Sequence, residues 1–365
     1  MESLKTRTIK HTDMKKLSLT EQAINLLQSI IKTASFSRQE DSVADMLEKF
    51  IKDQGLPLER IGNNLLILDK KRYLKEPTLL LNSHIDTVKP VSSWSEDPFG
   101  AELKKGILYG LGSNDAGASL ICLLLTTIEL YDKLPFNLAF CASAEEEVSG
   151  KNGISLVLKQ YDKFDLAIVG EPTGMQPAVA EKGLMVLDCL TTGVAGHAAR
   201  KEGVNAIYKA INEITWFKDF YFPKVSSFLG PVQMSVTQVE AGSQHNVVPD
   251  KCSFVVDIRG NGCYTNEELL EIIETNTSCE VKARSTRLNS SQLHIEHPFY
   301  KHLISQGYKP FGSPTLSDQA LMGFPSIKLG PGESARSHTA NEYIKVSEIE
   351  HALLSYKKLI ESFRF

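Results

Sequence analysis

His84 and Asp86 stand one residue apart at the end of the apolar stretch TLLLNSHIDTV, residues 78–88. An imidazole binds a divalent metal well, and a neighbouring carboxylate can hold it in the metal-binding tautomer. Three later apolar runs end the same way. Residues 138–142 lead into Glu145, Glu146 and Glu147, residues 165–170 into Glu171, and residues 326–329 into the loop carrying His338. Such runs, without polar alternation, predict strands buried on both faces, as in a parallel sheet. Ligand-binding loops of open α/β sheets lie just beyond the carboxyl ends of those strands.

Asp115 sits in the turn Ser113-Asn114-Asp115 after Gly110 and Gly112, where a helix running to about Leu130 is predicted to open. Taken alone it reads as a helix cap. The glycines nevertheless let backbone and metal approach closely, and a carboxylate has two oxygens with which to bridge two cations. Three adjacent acids at 145–147 repel one another near the protein interior, and a bound cation or a proton held by one member relieves that repulsion. Two His and three or four carboxylates supply N and O ligands suited to zinc or a similar divalent ion. A pair of ions about 3.5 to 4 Å apart needs a bridging carboxylate and roughly two further ligands each, which this set provides.

The elements that must position these groups follow from periodicity. Apolar residues at helical spacing over 18–54 predict two amphipathic helices, the first capped by Ser18 or Thr20 and the second stopped by Gly55 and Pro57. A strand at 65–68, the His84 strand, a loop and hairpin over 90–110 and alternating helices and strands to Gly170 predict a doubly wound, mostly parallel sheet. From 184 the pattern changes to one-sided alternation. Strands at 184–191, 232–239, 252–258 and 284–293, with helices at 204–215 and 266–276, give the βαββαβ order of a ferredoxin-like domain. The predicted organisation is a metal-binding catalytic domain of residues 1–183 and 295–365, with an inserted dimerisation or lid domain at 184–294.

Composition narrows the function class. The 365 residues carry 40 Lys plus Arg against 44 Asp plus Glu, a net charge of −4 that offers no field for nucleic acid or an anionic membrane. A small molecule is the expected partner. The apolar runs are too short to span a bilayer, and residues 1–16 lack the apolar core of a signal peptide, so a cytoplasmic location is expected; Met14 offers an alternative start. The six cysteines show no CxxC spacing and read as reduced, mainly core residues.

HID with Val88, GLGSNDAG, the EEE run before Val148-Ser149-Gly150, GEPT and SHTANE occur in this order, and together they resemble the M20 family of dinuclear metallohydrolases, over nearly the whole chain. The resemblance implies that His84 and Glu171 bind one metal, Glu147 and His338 the other, and that Asp115 bridges them. It implies Glu146 as general base and Asp86 as its orienting acid. GHAAR places His197 where the family has a histidine that reaches across a homodimer, and Asn246 and Arg259 match positions associated with substrate binding. Leu111, Ala116-Gly117 and Lys89 depart from the family's usual arginine, Met-Lys and proline, and none of these changes removes a ligand.

The activity implied is zinc- or cobalt-dependent hydrolysis of an N-acylated amino acid, with acetylornithine deacetylation in arginine biosynthesis as the first expectation. Arg259, then Lys182, would face the substrate carboxylate. Desuccinylation of succinyl-diaminopimelate, succinylornithine or an acylcitrulline, and di- or tripeptide hydrolysis, are the alternatives within the family. A catalytically silent dimeric binding protein is the alternative outside catalysis.

Overall fold

The computed structural model describes residues 17–200 and 202–365; the predicted absence of a leader and the alternative start at Met14 concern residues outside that range. The described chain forms two compact units. One comprises the residues up to Ala178, Leu293–Pro310 and Ser317–Phe365, and the other Val179–Gln292 and Phe311–Leu316.

In the first unit the strands Thr78–His84, Asn137–Ser143, Leu166–Val169 and Ser326–Lys328 are parallel neighbours, with Thr78–His84 lying between Asn137–Ser143 and Leu166–Val169. Every residue of the four is buried. Burial on both faces explains why these segments read as continuous apolar runs. The antiparallel pair Leu58–Ile61 and Asn64–Ile67 extends the sheet on the Asn137–Ser143 side.

Helix Ala118–Leu130 is apolar nearly all round because it is enclosed, packing on Thr78–His84 and Asn137–Ser143 and against helices Leu19–Ile31 and Val346–Ser362. Full burial of a leucine such as Leu123 contributes about 1.5–3 kcal/mol. On the opposite face Leu80, Ala139, Cys141 and Ala167 pack with Ile154, Val157, Phe164 and Met322. Ser18 caps helix Leu19–Ile31 in a reciprocal box with Glu21, and Gly55, at φ +75°, follows helix Asp41–Asp53.

The second unit contains strands Met185–Thr192, Gln233–Ala241, Lys251–Arg259 and Glu280–Ala283 with helices Ala206–Asp219 and Asn266–Asn276. The all-antiparallel sheet order is Gln233–Ala241, Lys251–Arg259, Met185–Thr192, Glu280–Ala283. With the helices between the strands as they fall in the chain, this is the ferredoxin-like arrangement. Its core sets Leu187, Phe254, Val256 and Ile258 against Ala210, Phe217, Leu269 and Ile273.

Three expectations need correction here. The last strand of this sheet is Glu280–Ala283, not 284–293, because the residues after it cap a helix: Asn266 Nδ2 donates to the carbonyls of Thr286 and Leu288, and Asn289 Oδ1 accepts the Asn266 N–H. The unit begins at Val179 rather than 184, ends at Gln292 and takes in 311–316, since strand Ala178–Glu181 pairs with both Ser291–Gln292 and Phe311–Ser313. The helix expected at 204–215 runs over Ala206–Asp219, and of its apolar residues Ala206 and Ala210 are buried while Ile207 and Ile211 are exposed.

All six cysteines are free, and four of them are buried. Among the described residues no helix is long and apolar enough to cross a membrane.

Candidate metal centre

Because the four central strands run parallel, their carboxyl ends come together at one edge of the sheet. His84 closes the first strand, Glu145 to Glu147 follow the second, Glu171 follows the third, and His338 lies in the loop after the fourth. Asp115 lies in the wide turn Ser113–Gly117 ahead of helix Ala118–Leu130, and the Asp115–Ala116 peptide bond is cis.

The Asp115 carboxylate faces a different histidine with each oxygen. Oδ1 is 3.4 Å from His84 Nε2 and Oδ2 is 3.7 Å from His338 Nε2. His84 Nε2 lies 4.0 Å from Glu171 Oε1, and His338 Nε2 lies 2.9 Å from Glu147 Oε2. Ligand atoms of His84, Asp115 and Glu147 all fall within 4.8 Å of one another, as do those of His84, Glu146 and Glu171. The buried Oε1 atoms of Glu147 and Glu171 have no hydrogen-bond partner. Unpaired buried carboxylate oxygens are costly, and hard or borderline divalent cations satisfy them. The donor set therefore fits two such ions.

Electrostatics report the same crowding. Burial and the Asp115 charge push Glu171 up to about 8, and burial with the Glu171 charge raises Glu146 well above the usual carboxylate range. Burial opposes protonation of His84, but hydrogen bonding to Asp115 and Asp86 outweighs it and raises that imidazole well above its ordinary value. The hydrogen bond to Glu147 raises His338 to about 9.

The acidic triplet divides its labour. Glu145 takes a left-handed φ of +54° and turns inward, where its carboxylate accepts from the backbone and side chain of Asn152 at 3.3 and 2.8 Å. Only Glu146 and Glu147 reach the centre. Asp86 is buried, and it orients His84 differently from the expectation: Nδ1 is 2.9 Å from the Asp86 carbonyl oxygen but 3.5 Å from its carboxylate. That leaves Nε2 toward Asp115.

Gly112, at φ +73°, begins the turn, and a side chain there would press on the Thr87 methyl. Ala116 is buried, and Gly117 packs against the Gly112 carbonyl and Leu27, which leaves no room for a longer residue.

Two buried carboxylates near this site escaped the sequence reading. Glu342 accepts backbone N–H groups of the Asp115 turn, and burial raises it to about 7. Asp318 accepts the Ser143 hydroxyl at 2.6 Å, and burial raises it to about 6. Glu342 closes the SHTANE segment and was legible there as one more acid beside His338. Asp318 had no signal beyond following Ser317 in a polar loop.

The remaining expected site residues lie in the second unit. His197, exposed in the short strand Gly196–His197, pairs with Val247, and the Asn246 carbonyl accepts the Ala198 N–H at 3.0 Å, so His197 and Asn246 are brought together. Arg259 is held by Asp257 in the same strand through contacts of 2.7 and 3.1 Å. Lys182 is buried, and burial together with the Arg259 charge lowers its pKa.

The chain is 29% identical over 385 residues to the acetylornithine deacetylase of Proteus mirabilis, covering 98% of this chain and 94% of that one. It is 24% identical over 370 residues to a succinyl-diaminopimelate desuccinylase of Wolbachia pipientis, covering 93% of each. A tripeptidase structure from Staphylococcus aureus shares the fold, with a TM-score of 0.74 at 20% identity over 94% of this chain and 98% of that one. The profile of peptidase family M20/M25/M40 matches residues 80–362, and the chain belongs to that family of hydrolases.

Proposed function

We propose that the protein is a divalent-metal-dependent amidohydrolase that removes the acyl group from an N-acylated amino acid, with N-acetyl-L-ornithine as the first substrate. One observation carries the reading: Asp115 faces His84 with one oxygen and His338 with the other, with Glu146 and Glu147 beside it. In this reading His84 and Glu171 hold one ion, Glu147 and His338 the second, and Asp115 both. The ions, most simply zinc and otherwise cobalt, supply polarisation of the acyl oxygen and acidify water.

Glu146 does the proton work. It takes a proton from the attacking water and returns it to the leaving amine, and burial with the Glu171 charge favours its protonated form. Lys182 and Arg259 place two cations close enough for their charges to interact, an arrangement that a substrate carboxylate relieves. Similarity to the acetylornithine deacetylase over 98% of the chain supports the choice of acyl group, and we extend the reading to a place in arginine biosynthesis in the cytoplasm.

Desuccinylation is the second reading. It draws on the desuccinylase relative and on the same cationic pair, which would equally meet the distal carboxylate of a succinyl group. We place the protein as a homodimer built through the second unit, whose helix Ala206–Asp219 exposes Ile207, Tyr208 and Ile211 while strand Gln233–Ala241 is an open sheet edge exposing Val239. In the shared arrangement His197 of each copy would donate to the acyl oxygen in the other's site.

The deciding experiment is turnover of metal-loaded protein on N-acetylornithine, N-acetylcitrulline, N-succinylornithine, succinyl-diaminopimelate and a dipeptide. Highest kcat/KM on N-acetylornithine is expected. The dipeptide as the best substrate, or no turnover of any, would remove the reading.

A further inference from the structure

We propose that Glu342 is a positioning residue for the metal centre, setting the turn that presents Asp115 and tying it to the loop that presents His338. The inference rests on the reading of Asp115 and His338 as metal ligands. Glu342 is 2% exposed, and its carboxylate sits within the turn. Its Oε1 accepts the N–H groups of Asn114 and Asp115 at 2.8 and 2.9 Å, and its Oε2 accepts that of Gly112 at 3.0 Å. Convergent backbone N–H groups of this kind form a concave anion site, and here the anion belongs to the chain itself.

Glu342 is held from both sides. Its own carbonyl accepts the Gly110 N–H at 3.0 Å, and the next residue, Tyr343, pairs with Tyr109 in the hairpin sheet. Four residues upstream is His338. A second tie joins the same two segments, since Asn114 Oδ1 accepts the Glu333 N–H at 3.0 Å while its Nδ2 donates to the Glu333 carbonyl at 3.1 Å. Asp115 and His338 lie far apart in sequence yet must face one ion, and Glu342 joins their backbones. A carboxylate buried close to Asp115 carries a desolvation and repulsion cost that a simple loop anchor, such as an asparagine, would avoid. The two oxygens of a carboxylate also meet all three N–H groups at once, which the single oxygen of an amide cannot do with the same spread.

The test compares wild type, Glu342→Gln, Glu342→Asp and Leu303→Ala, the last a core truncation in helix Pro298–Ser305 that lowers stability outside the site. Zn²⁺ affinity is read by chelator competition, Co²⁺ geometry by visible absorption, and hydrogen exchange of the segment 110–118 in metal-free protein. In Glu342→Gln an amide replaces part of the acceptor and turns a donor toward donors. We expect Zn²⁺ affinity about 10- to 100-fold weaker, an altered Co²⁺ spectrum and faster exchange at 110–118. Leu303→Ala should lose thermal stability while keeping wild-type metal affinity. Glu342→Asp keeps the charge with a shorter reach and should fall between wild type and Glu342→Gln; it carries the measurement if the glutamine variant does not fold. Wild-type metal affinity and exchange in the Glu342 variants, or a metal loss no larger than that of Leu303→Ala, overturns the proposal alone. Failure of the wild type to bind metal overturns the reading of the centre and this inference together.

Discussion

The carboxylate of Asp86 accepts the backbone N–H of Glu146 at 3.0 Å through Oδ1, while Oδ2 accepts that of Glu147 at 3.2 Å. The same Oδ2 takes the Ser37 hydroxyl at 2.7 Å, and the Asp86 carbonyl meets His84 Nδ1. One buried residue thus aims a histidine with its main chain and the acid run with its side chain. Asp86→Ala keeps the carbonyl that meets His84 Nδ1 at 2.9 Å and removes the hold on the acid run together with the 3.5 Å carboxylate contact to His84. Turnover should fall about 10- to 100-fold, the usual cost of losing a partner that orients a metal ligand, and the loss should appear in kcat. Unchanged kcat in Asp86→Ala would show that the acid run orients itself.

Glu146 and Glu147 are adjacent yet are assigned opposite duties, and single substitutions separate them. Glu147 faces His338 at 2.9 Å and has an unpaired buried oxygen, so Glu147→Gln should reduce bound metal as measured by elemental analysis. Glu146→Gln should keep its metal and lose about 10²- to 10⁴-fold in turnover, the usual worth of a positioned acid/base. The reverse pattern would exchange the roles.

Metal uptake should depend on pH with a predictable sign. Without metal, the hydrogen bond to Glu147 holds His338 at about 9, and burial with the Asp115 charge holds Glu171 at about 8. At pH 7 both therefore carry protons, and both must release them to become ligands. Apparent affinity should accordingly rise from pH 6 to about 9 and then level, with protons released on binding. Calorimetry of Zn²⁺ binding in buffers of different ionisation enthalpy reads that release directly. Affinity constant over this range, with no proton release, would place the metal on other groups.

The parallel strands were legible because burial on both faces removes alternation, so each appears as an apolar run with its functional residue at the end. Asp115 was legible through the glycines that permit its turn. The strand expected at 284–293 misled because alternation persists there, while Asn266 and Asn289 direct the backbone into a helix cap. What Glu342 and Asp318 hold could not be found by pattern: each acts on backbone or hydroxyl groups distant in sequence, and a buried acid looks like a surface acid until its partners are known. The hold of Asp86 on the Glu146 and Glu147 backbone had no sequence signal, since it depends on a contact spanning 60 residues. In the second unit, the helix expected at 204–215 carries apolar residues at helical spacing, and the exposure of Ile207 and Ile211 among them became visible only once the sheet was in place.

His197 lies in the second unit and Glu146 in the first, and the family resemblance has such a histidine acting in the other copy's site. The exposed apolar residues Ile207, Tyr208 and Ile211 offer the surface through which two copies would meet. Sharing makes a distinctive kinetic prediction. His197→Ala and Glu146→Gln should each be nearly inactive alone. A mixed dimer would contain one site lacking both groups and one site retaining both, so subunit exchange between the two inactive proteins should restore up to about half of wild-type turnover per mixed dimer. The exchange itself is followed by mass spectrometry of differently tagged chains, which keeps failed mixing distinct from failed complementation. If tagged mixed dimers form and remain inactive, or if His197→Ala alone turns over normally, His197 has no part in the reaction and the second unit serves only to join the copies.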